Sequence, residues 1–418
     1  MSPRHHDAAV RWASPGSPVA QVIDAEGTHA APPEAIDVST PFSGDLETMA
    51  AASFDPLGHA ARHAGEGRPV VGIIGFDVPH ELVVAAGMVP VRLRADPGVD
   101  PQRFGDLSAM ALDPIATCHL VRLLNGDFDC LDRLIVSHDR GPDAKLFFVL
   151  RELGRLGELP ERPSVSFLDI RHLPSHATAE YNRTRIGELA TLLEEWAGHP
   201  FSRSEVVEAT ALCNANRRLL KSFQSLRTDA QPRFSGVDSL AAIGAALVMD
   251  KGEYQATMSR LLAGAEDRSG IDGVRVFASG SGAEDASLYR AIESAGALVV
   301  GEDHDFGDRS FEQLVPETDD PLDGIVQAYG GGAPAASWGA TAARAEYTTQ
   351  CAGRSGAEAV LSVLFDHDAA LGWDRSAARR ALAEVNIPLI EIETPWGAPT
   401  EAVEGLVRSF VEGGGGVP

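Results

Sequence analysis

Eight short apolar runs set the rhythm of this chain. VVGIIG (Val70–Gly75), VPVRL (Val89–Leu93), LDRLIVSHD (Leu131–Asp139) and SVSFLDI (Ser164–Ile170) fall in its first half. VRVFASG (Val274–Gly280), ALVVGED (Ala297–Asp303), AVLSVLF (Ala359–Phe365) and IPLIEIE (Ile387–Glu393) fall in its second. Each run is too short for a helix and suits a strand buried on both faces, as parallel sheets require. Between them lie stretches of helical period. KLFFVLRELGRL places Leu146, Phe147, Leu150 and Leu153 on one face. In the first unit Gly75, Asp77 and Pro79 break the strand, a helix starts at Pro79 and Gly87 stops it.

The two halves follow the same plan. In each, an apolar strand leads into a loop with glycine and an acid, and then into a helix ending in Ala-Gly (Ala86-Gly87, Ala295-Gly296). A later strand in each half ends in His-Asp, at His138-Asp139 and His367-Asp368. Between the halves, YNRTRIGELATLLEEWAG, SRSEVVEATALCNANRRLLKSFQSLR and DSLAAIGAALVMDKGEYQATMSRLLAG read as three successive helices. Ser202 and Glu205 form a capping box for the second, and Cys213 reads as core. The expected fold is α/β: two doubly wound, Rossmann-like domains with parallel sheets, joined by a helical connector. The divisions are a flexible N-terminal segment over 1–48, a first α/β domain over 49–174, the connector over 175–265, a second α/β domain over 266–411 and a disordered tail over 412–418. In such sheets ligands bind at the carboxyl ends of the strands.

Composition narrows the function classes. The net charge of −25 argues against nucleic acid and anionic membrane surfaces as partners. An anionic ligand would need a local arginine patch. No apolar run is long enough to span a membrane, and four scattered cysteines (Cys118, Cys130, Cys213, Cys351) make neither a disulfide scaffold nor a zinc ribbon. A reduced, cytoplasmic protein is the expectation. Nucleophile-elbow, Walker and H-E-x-x-H motifs are missing. Gly280-x-Gly282 lacks the third glycine of a dinucleotide loop, with Asp285 in its place, so the glycines read as a tight turn. Asp303-His304-Asp305 and Asp366-His367-Asp368 offer metal ligands or acid–base groups, and equally helix caps. Cys118 lies near the start of a helix from Asp113, where the dipole favours a thiolate; the alternative is a small buried apolar residue.

The stretch VPHELVVAAGMVPVRL (Val78–Leu93) resembles the proline–glutamate–Ala-Ala-Gly motif of the 2-hydroxyacyl-CoA dehydratase and benzoyl-CoA reductase subunits. The likeness extends over roughly residues 65–410 through Asn214 and Arg217, Ser235-Gly236, IESAGALVVGED and IPLIEIE. It implies a subunit acting on an acyl-CoA thioester between two α/β domains, with a second homologous subunit and an ATP-dependent iron–sulfur activator as partners. Glu81, with its neighbour His80, becomes the candidate for acid–base work or substrate orientation.

The resemblance also implies a [4Fe–4S] cluster held by three cysteines, and here the chain departs from its family. Cys118 matches the first. Ser137-His138-Asp139 stands where Ser-Cys-Asp is usual, and Phe365-Asp366-His367 where Phe-Cys-Asp is usual. Three outcomes remain open: a degenerate cluster, a single zinc or iron ion on Cys118, His138, Asp366 and His367, or no metal. In the last case the chain is a non-catalytic partner of a Cys-complete homologue.

Overall fold

The computed structural model describes residues 42, 44–100, 112–334 and 338–413. The leader over 1–41 and the tail beyond 413 lie outside these residues. Inside the described part, helices begin earlier than the domain division at 49, at Asp45–Phe54 and Pro56–Gly65. The eight apolar runs form eight strands: β1 (Val70–Ile74), β2 (Val89–Arg92), β3 (Arg133–Ser137), β4 (Ser164–Leu168), β5 (Val274–Gly280), β6 (Ala297–Glu302), β7 (Ala359–Phe365) and β8 (Leu389–Thr394). They make two four-stranded sheets, ordered β2-β1-β3-β4 and β6-β5-β7-β8, with every pairing parallel. The strand order is the same in both halves, which is the repeat seen in the sequence. Helices cover the sheets, an open α/β arrangement.

Two glycines explain how each first strand can end where it does. Gly75 has φ +100°, and a Cβ there would sit 2.2 Å from both Ser137 Oγ and Asp139 Oδ1. Gly280 has φ +109°, and a Cβ there would sit 2.1 Å from the Val363 carbonyl oxygen. At both sites the central strand passes hard against its neighbour's tip, and only glycine allows it.

The connector holds four long helices where the periodicity predicts three: His176–Ala197, Arg203–Thr228, Gly236–Val248 and Lys251–Ala263. The last run is divided at Met249-Asp250. The Asp250 carboxylate accepts the Gly252 and Glu253 N–H groups and starts a new helix. The capping box at Ser202 and Glu205 is formed. The Gly-rich stretch after Tyr329 is less irregular than its composition suggests, because Thr341–Arg354 is a helix.

Helix Arg203–Thr228 joins the halves by two buried ion pairs. Arg217 Nη1 lies 2.6 Å from Glu81 Oε1 in the first half, and Arg227 Nη2 lies 2.8 Å from Glu302 Oε2 in the second. Both side chains of the Arg227–Glu302 pair are fully buried, and Arg227 also donates to the Val299 carbonyl. A charge buried in this way needs such partners: both Nη atoms of Arg227 are bonded, and its Nε has no partner among the described residues. The two halves also touch directly, through Arg92 Nη1 to the Asp305 carbonyl (2.7 Å) and Arg94 Nη1 to the Glu284 carbonyl (2.6 Å).

Candidate functional site

A cavity of about 370 Å³ lies where the carboxyl ends of the two sheets meet. The first half contributes Gly75–Asp77 after β1, Arg92 at the end of β2, Asp139 and Arg140 after β3, and His172 beyond β4. The second contributes Ser279–Gly282 at the end of β5 and just beyond it, Asp303–Phe306 after β6, His367 and Asp368 after β7, and Arg309. The strand-edge loops singled out by the repeat therefore face one space.

The wall from the first half is rich in proton-transfer groups. His172 Nε2 is 2.7 Å from Asp77 Oδ2. Burial works against its charged form, but the Asp77 hydrogen bond and charge overcome it and raise the imidazole above its ordinary value. Asp139 takes a short hydrogen bond from Ser137 Oγ. Burial, then the nearby Asp77 and Asp143 charges, push its carboxyl from 3.8 up to about 7. His119 is lowered to about 3 by burial and by Arg140, so it is neutral.

Arginines bring positive charge to the same wall. Arg140 is absorbed by carboxylates, at 3.1 Å from Asp113 and 2.8 Å from Asp143. Arg92 is different. It is only 4 % exposed, it donates to a backbone carbonyl and not to a carboxylate, and its Nε has no partner among the described residues. Its guanidinium lies over the rings of Phe306 (4.0 Å) and Phe76 (5.4 Å). Burial lowers its pKa, although the Asp305, Asp139 and Glu284 charges nearby act to raise it.

The second half supplies hydrogen-bonding groups. Asp303 accepts from Ser279 Oγ (2.9 Å) and from Thr348, and burial raises its pKa. His304 Nε2 pairs with the Tyr289 hydroxyl at 2.8 Å, and its Nδ1 has no partner among the described residues. Burial lowers its pKa to about 4. Ser281 Oγ lies 3.2 Å from Asp368 Oδ2 and accepts the Phe365 N–H.

The residues singled out in the sequence have separate fates. His367 lines the cavity and stacks on Phe365, with ring centroids 5.8 Å apart. Asp366 beside it is 60 % exposed. His138 turns away from the cavity, with Nδ1 2.9 Å from Asp169 Oδ1 and its ring edge-on to Trp338. Cys118 lies in a small apolar cluster with Ala95 and Ile115, and its Sγ accepts the Asp96 N–H at 3.2 Å. Burial pushes its thiol up to about 11, opposite to the direction a helix start favours. Glu81 and His80 do not line the cavity. Glu81 is fully buried between Arg217 and the Tyr329 hydroxyl, which donates to it at 2.9 Å.

The donor set does not fit an iron–sulfur cluster. Such a cluster takes thiolates, whereas Cys118 is a thiol held protonated, His138 is bonded to a carboxylate and Asp366 is an exposed carboxylate. Cys118, His138, Asp366 and His367 do not converge: among the described residues, the histidine, cysteine and carboxylate ligand atoms that gather within 4.8 Å of one another are those of His59, His63 and Glu253. Sequence reasoning overlooked His172 and Arg92. His172 follows its strand without a motif, but Arg92 did leave a signal, a lone cation closing an otherwise apolar strand.

Two parallel four-stranded sheets with surrounding helices, whose strand ends line one cavity, define an α/β protein of the open-sheet class. Comparison with known proteins specifies which. The chain belongs to the family of the 2-hydroxyglutaryl-CoA dehydratase D-component, whose model matches residues 76–412. It is 25% identical over 293 residues to the (R)-2-hydroxyglutaryl-CoA dehydratase subunit beta of Acidaminococcus fermentans, covering 69% of this chain and 74% of that one. The (R)-phenyllactyl-CoA dehydratase beta subunit of Clostridium sporogenes is 20% identical over 81% of this chain and 90% of its own. A benzoyl-CoA reductase subunit of Thauera aromatica is 23% identical over 69% of this chain and 75% of its own. The chain is thus a 2-hydroxyacyl-CoA dehydratase-like subunit. Among the described residues no helix is long and apolar enough to cross a membrane.

Proposed function

We propose that this chain is the ligand-binding, cluster-free subunit of a dehydratase-type complex, and that its interdomain cavity receives the acyl end of a CoA thioester. The electron-transfer chemistry of such a complex then belongs to a Cys-complete homologous subunit and its ATP-dependent iron–sulfur activator.

The observation that carries this reading is Arg92. A buried guanidinium that faces a cavity and lacks a carboxylate partner is an incomplete ion pair, and an anionic or strongly polar oxygen of a ligand completes it. In a chain with net charge −25 the general field repels anions, so an anionic ligand needs such a local cation. A volume of about 370 Å³ suits an acyl group better than a whole coenzyme. His172, held by Asp77, can donate a proton to a ligand oxygen, and Asp139 can do the same in its protonated form, which persists up to about pH 7. These groups orient and polarise a thioester. They do not by themselves remove an unactivated proton and hydroxide from a 2-hydroxyacyl group, which is why the reading assigns binding here and electron transfer elsewhere.

The experiment is calorimetric titration of the full chain with 2-hydroxyacyl-CoA and with free CoA. The acyl thioester is expected to bind more tightly than free CoA, and Arg92→Gln to weaken it about tenfold or more, the worth of one charge-assisted hydrogen bond. Equal binding of both ligands, or wild-type affinity in a folded Arg92→Gln protein, overturns the assignment.

A further inference from the structure

Away from the cavity, helix Pro56–Gly65 carries two histidines one turn apart, His59 and His63, facing helix Lys251–Ala263. Their Nε2 atoms lie 3.1 Å apart, and His63 Nε2 is 3.9 Å from Glu253 Oε2. Zinc binds imidazole nitrogen and carboxylate oxygen at about 2.0–2.2 Å, so donors around one tetrahedral ion stand roughly 3.2–3.6 Å apart. The spacing here brackets that range.

The three donors already point at one positive charge. Arg62 Nη2 lies 2.7 Å from Glu253 Oε2, 3.0 Å from His63 Nε2 and 3.5 Å from His59 Nε2. The guanidinium therefore takes the place of a cation among two imidazoles and a carboxylate. It can leave without being stranded, because Arg62 is 41 % exposed and its Nη1 is already 3.1 Å from Glu66 Oε1. Behind the site, Glu66 Oε2 lies 3.5 Å from His63 Nδ1, where a carboxylate fixes the tautomer that leaves Nε2 free for a metal. Arg68 approaches the same nitrogen at 3.3 Å and favours the opposite tautomer, so binding shifts that hydrogen bond to Glu66.

We propose that His59, His63 and Glu253 form a three-ligand site for a first-row divalent cation of the zinc class, with water in the fourth position. The ion displaces Arg62 and staples the helix before β1 to the last connector helix. This site is independent of the thioester-binding reading. The test is a zinc titration of the chelator-treated full chain against a chromophoric competitor, followed by cobalt substitution and melting curves. The expected result is one zinc per chain, intense four-coordinate cobalt bands and a rise in Tm on binding. His59→Gln, at a half-buried position that the fold tolerates, should lower zinc affinity at least about tenfold and remove the cobalt bands. Arg62→Gln should keep the capacity and tighten binding. No uptake at micromolar free zinc, or uptake that His59→Gln leaves unchanged, overturns the site.

Discussion

At the scale of single residues, burial decides most of the chemistry. Cys118 shows this. Its place near the start of helix Pro114–Leu124 favours a thiolate, yet an apolar pocket costs the charged form more than the dipole returns, and the thiol stays protonated. Asp139 is the counterpart on the cavity wall. Its carboxyl titrates near 7 in the folded protein and near 3.8 when unfolded, so the folded state holds a proton that the unfolded chain releases. That contribution is present in full below about pH 4 and lost as pH rises through about 7. Asp139→Asn keeps an acceptor for Ser137 and removes the titration. It should flatten the fall in stability between these values and leave the variant more stable than the parent at pH 8. The gain should be of order a few kcal/mol, at about 1.4 kcal/mol for each pH unit that separates the folded and unfolded values. Chemical denaturation across the pH range measures it, and parallel profiles for the two proteins would contradict it.

At the scale of elements, the motif residue Glu81 finds its partner on the helix that spans both halves. Arg217, Glu81 and Tyr329 bring together helix Arg203–Thr228, the short helix His80–Ala85 and helix Pro321–Gly330. Arg217 further bonds Asn214, which itself exchanges two hydrogen bonds with the Val315 backbone. Removing one charge strands the other in the interior. Glu81→Gln is therefore expected to cost about 3–5 kcal/mol. The double change Glu81→Met with Arg217→Met, which leaves no buried charge, should lose less than Glu81→Gln alone. Urea unfolding of the variants tests this. If the double change is as destabilising as the sum of its parts, the pair is not the clamp described here.

At the scale of the whole molecule, the duplicated sheets build a cleft whose two walls differ. One carries Arg92, His172 and Asp139. The other carries hydroxyls, Asp303 and His304. His138 bonds Asp169, and Cys118 lies in a small apolar cluster, so neither is free to ligate. The full chain purified without oxygen should consequently be colourless, with no stoichiometric iron or sulfide and no cluster signal in electron paramagnetic resonance after reduction. Co-expressed with a Cys-complete homologue, it should co-purify as a complex. A brown preparation of the chain alone, with iron and sulfide in cluster ratio, would refute the cluster-free assignment.

The sequence by itself determined the strands, the repeat and the family. Apolar runs this short, bounded by glycine and proline and alternating with helical stretches, suit parallel strands with crossover helices, and the sheets form that way. The break at Asp250 escaped that reading because the apolar period runs on through it, while a side-chain cap ends the backbone ladder. The tertiary structure alone decided which polar residues face one another. Asp77 and His172 are 95 residues apart, and His63 and Glu253 are 190 apart. The sequence carries no record of such distances, because each partner satisfies its own local pattern. Their chemistry exists only after two sheets and a connector have closed the space between them. For the same reason Cys118, His138 and His367 face different surroundings: the element sets a side chain's direction, but what that direction meets is decided by how the elements pack.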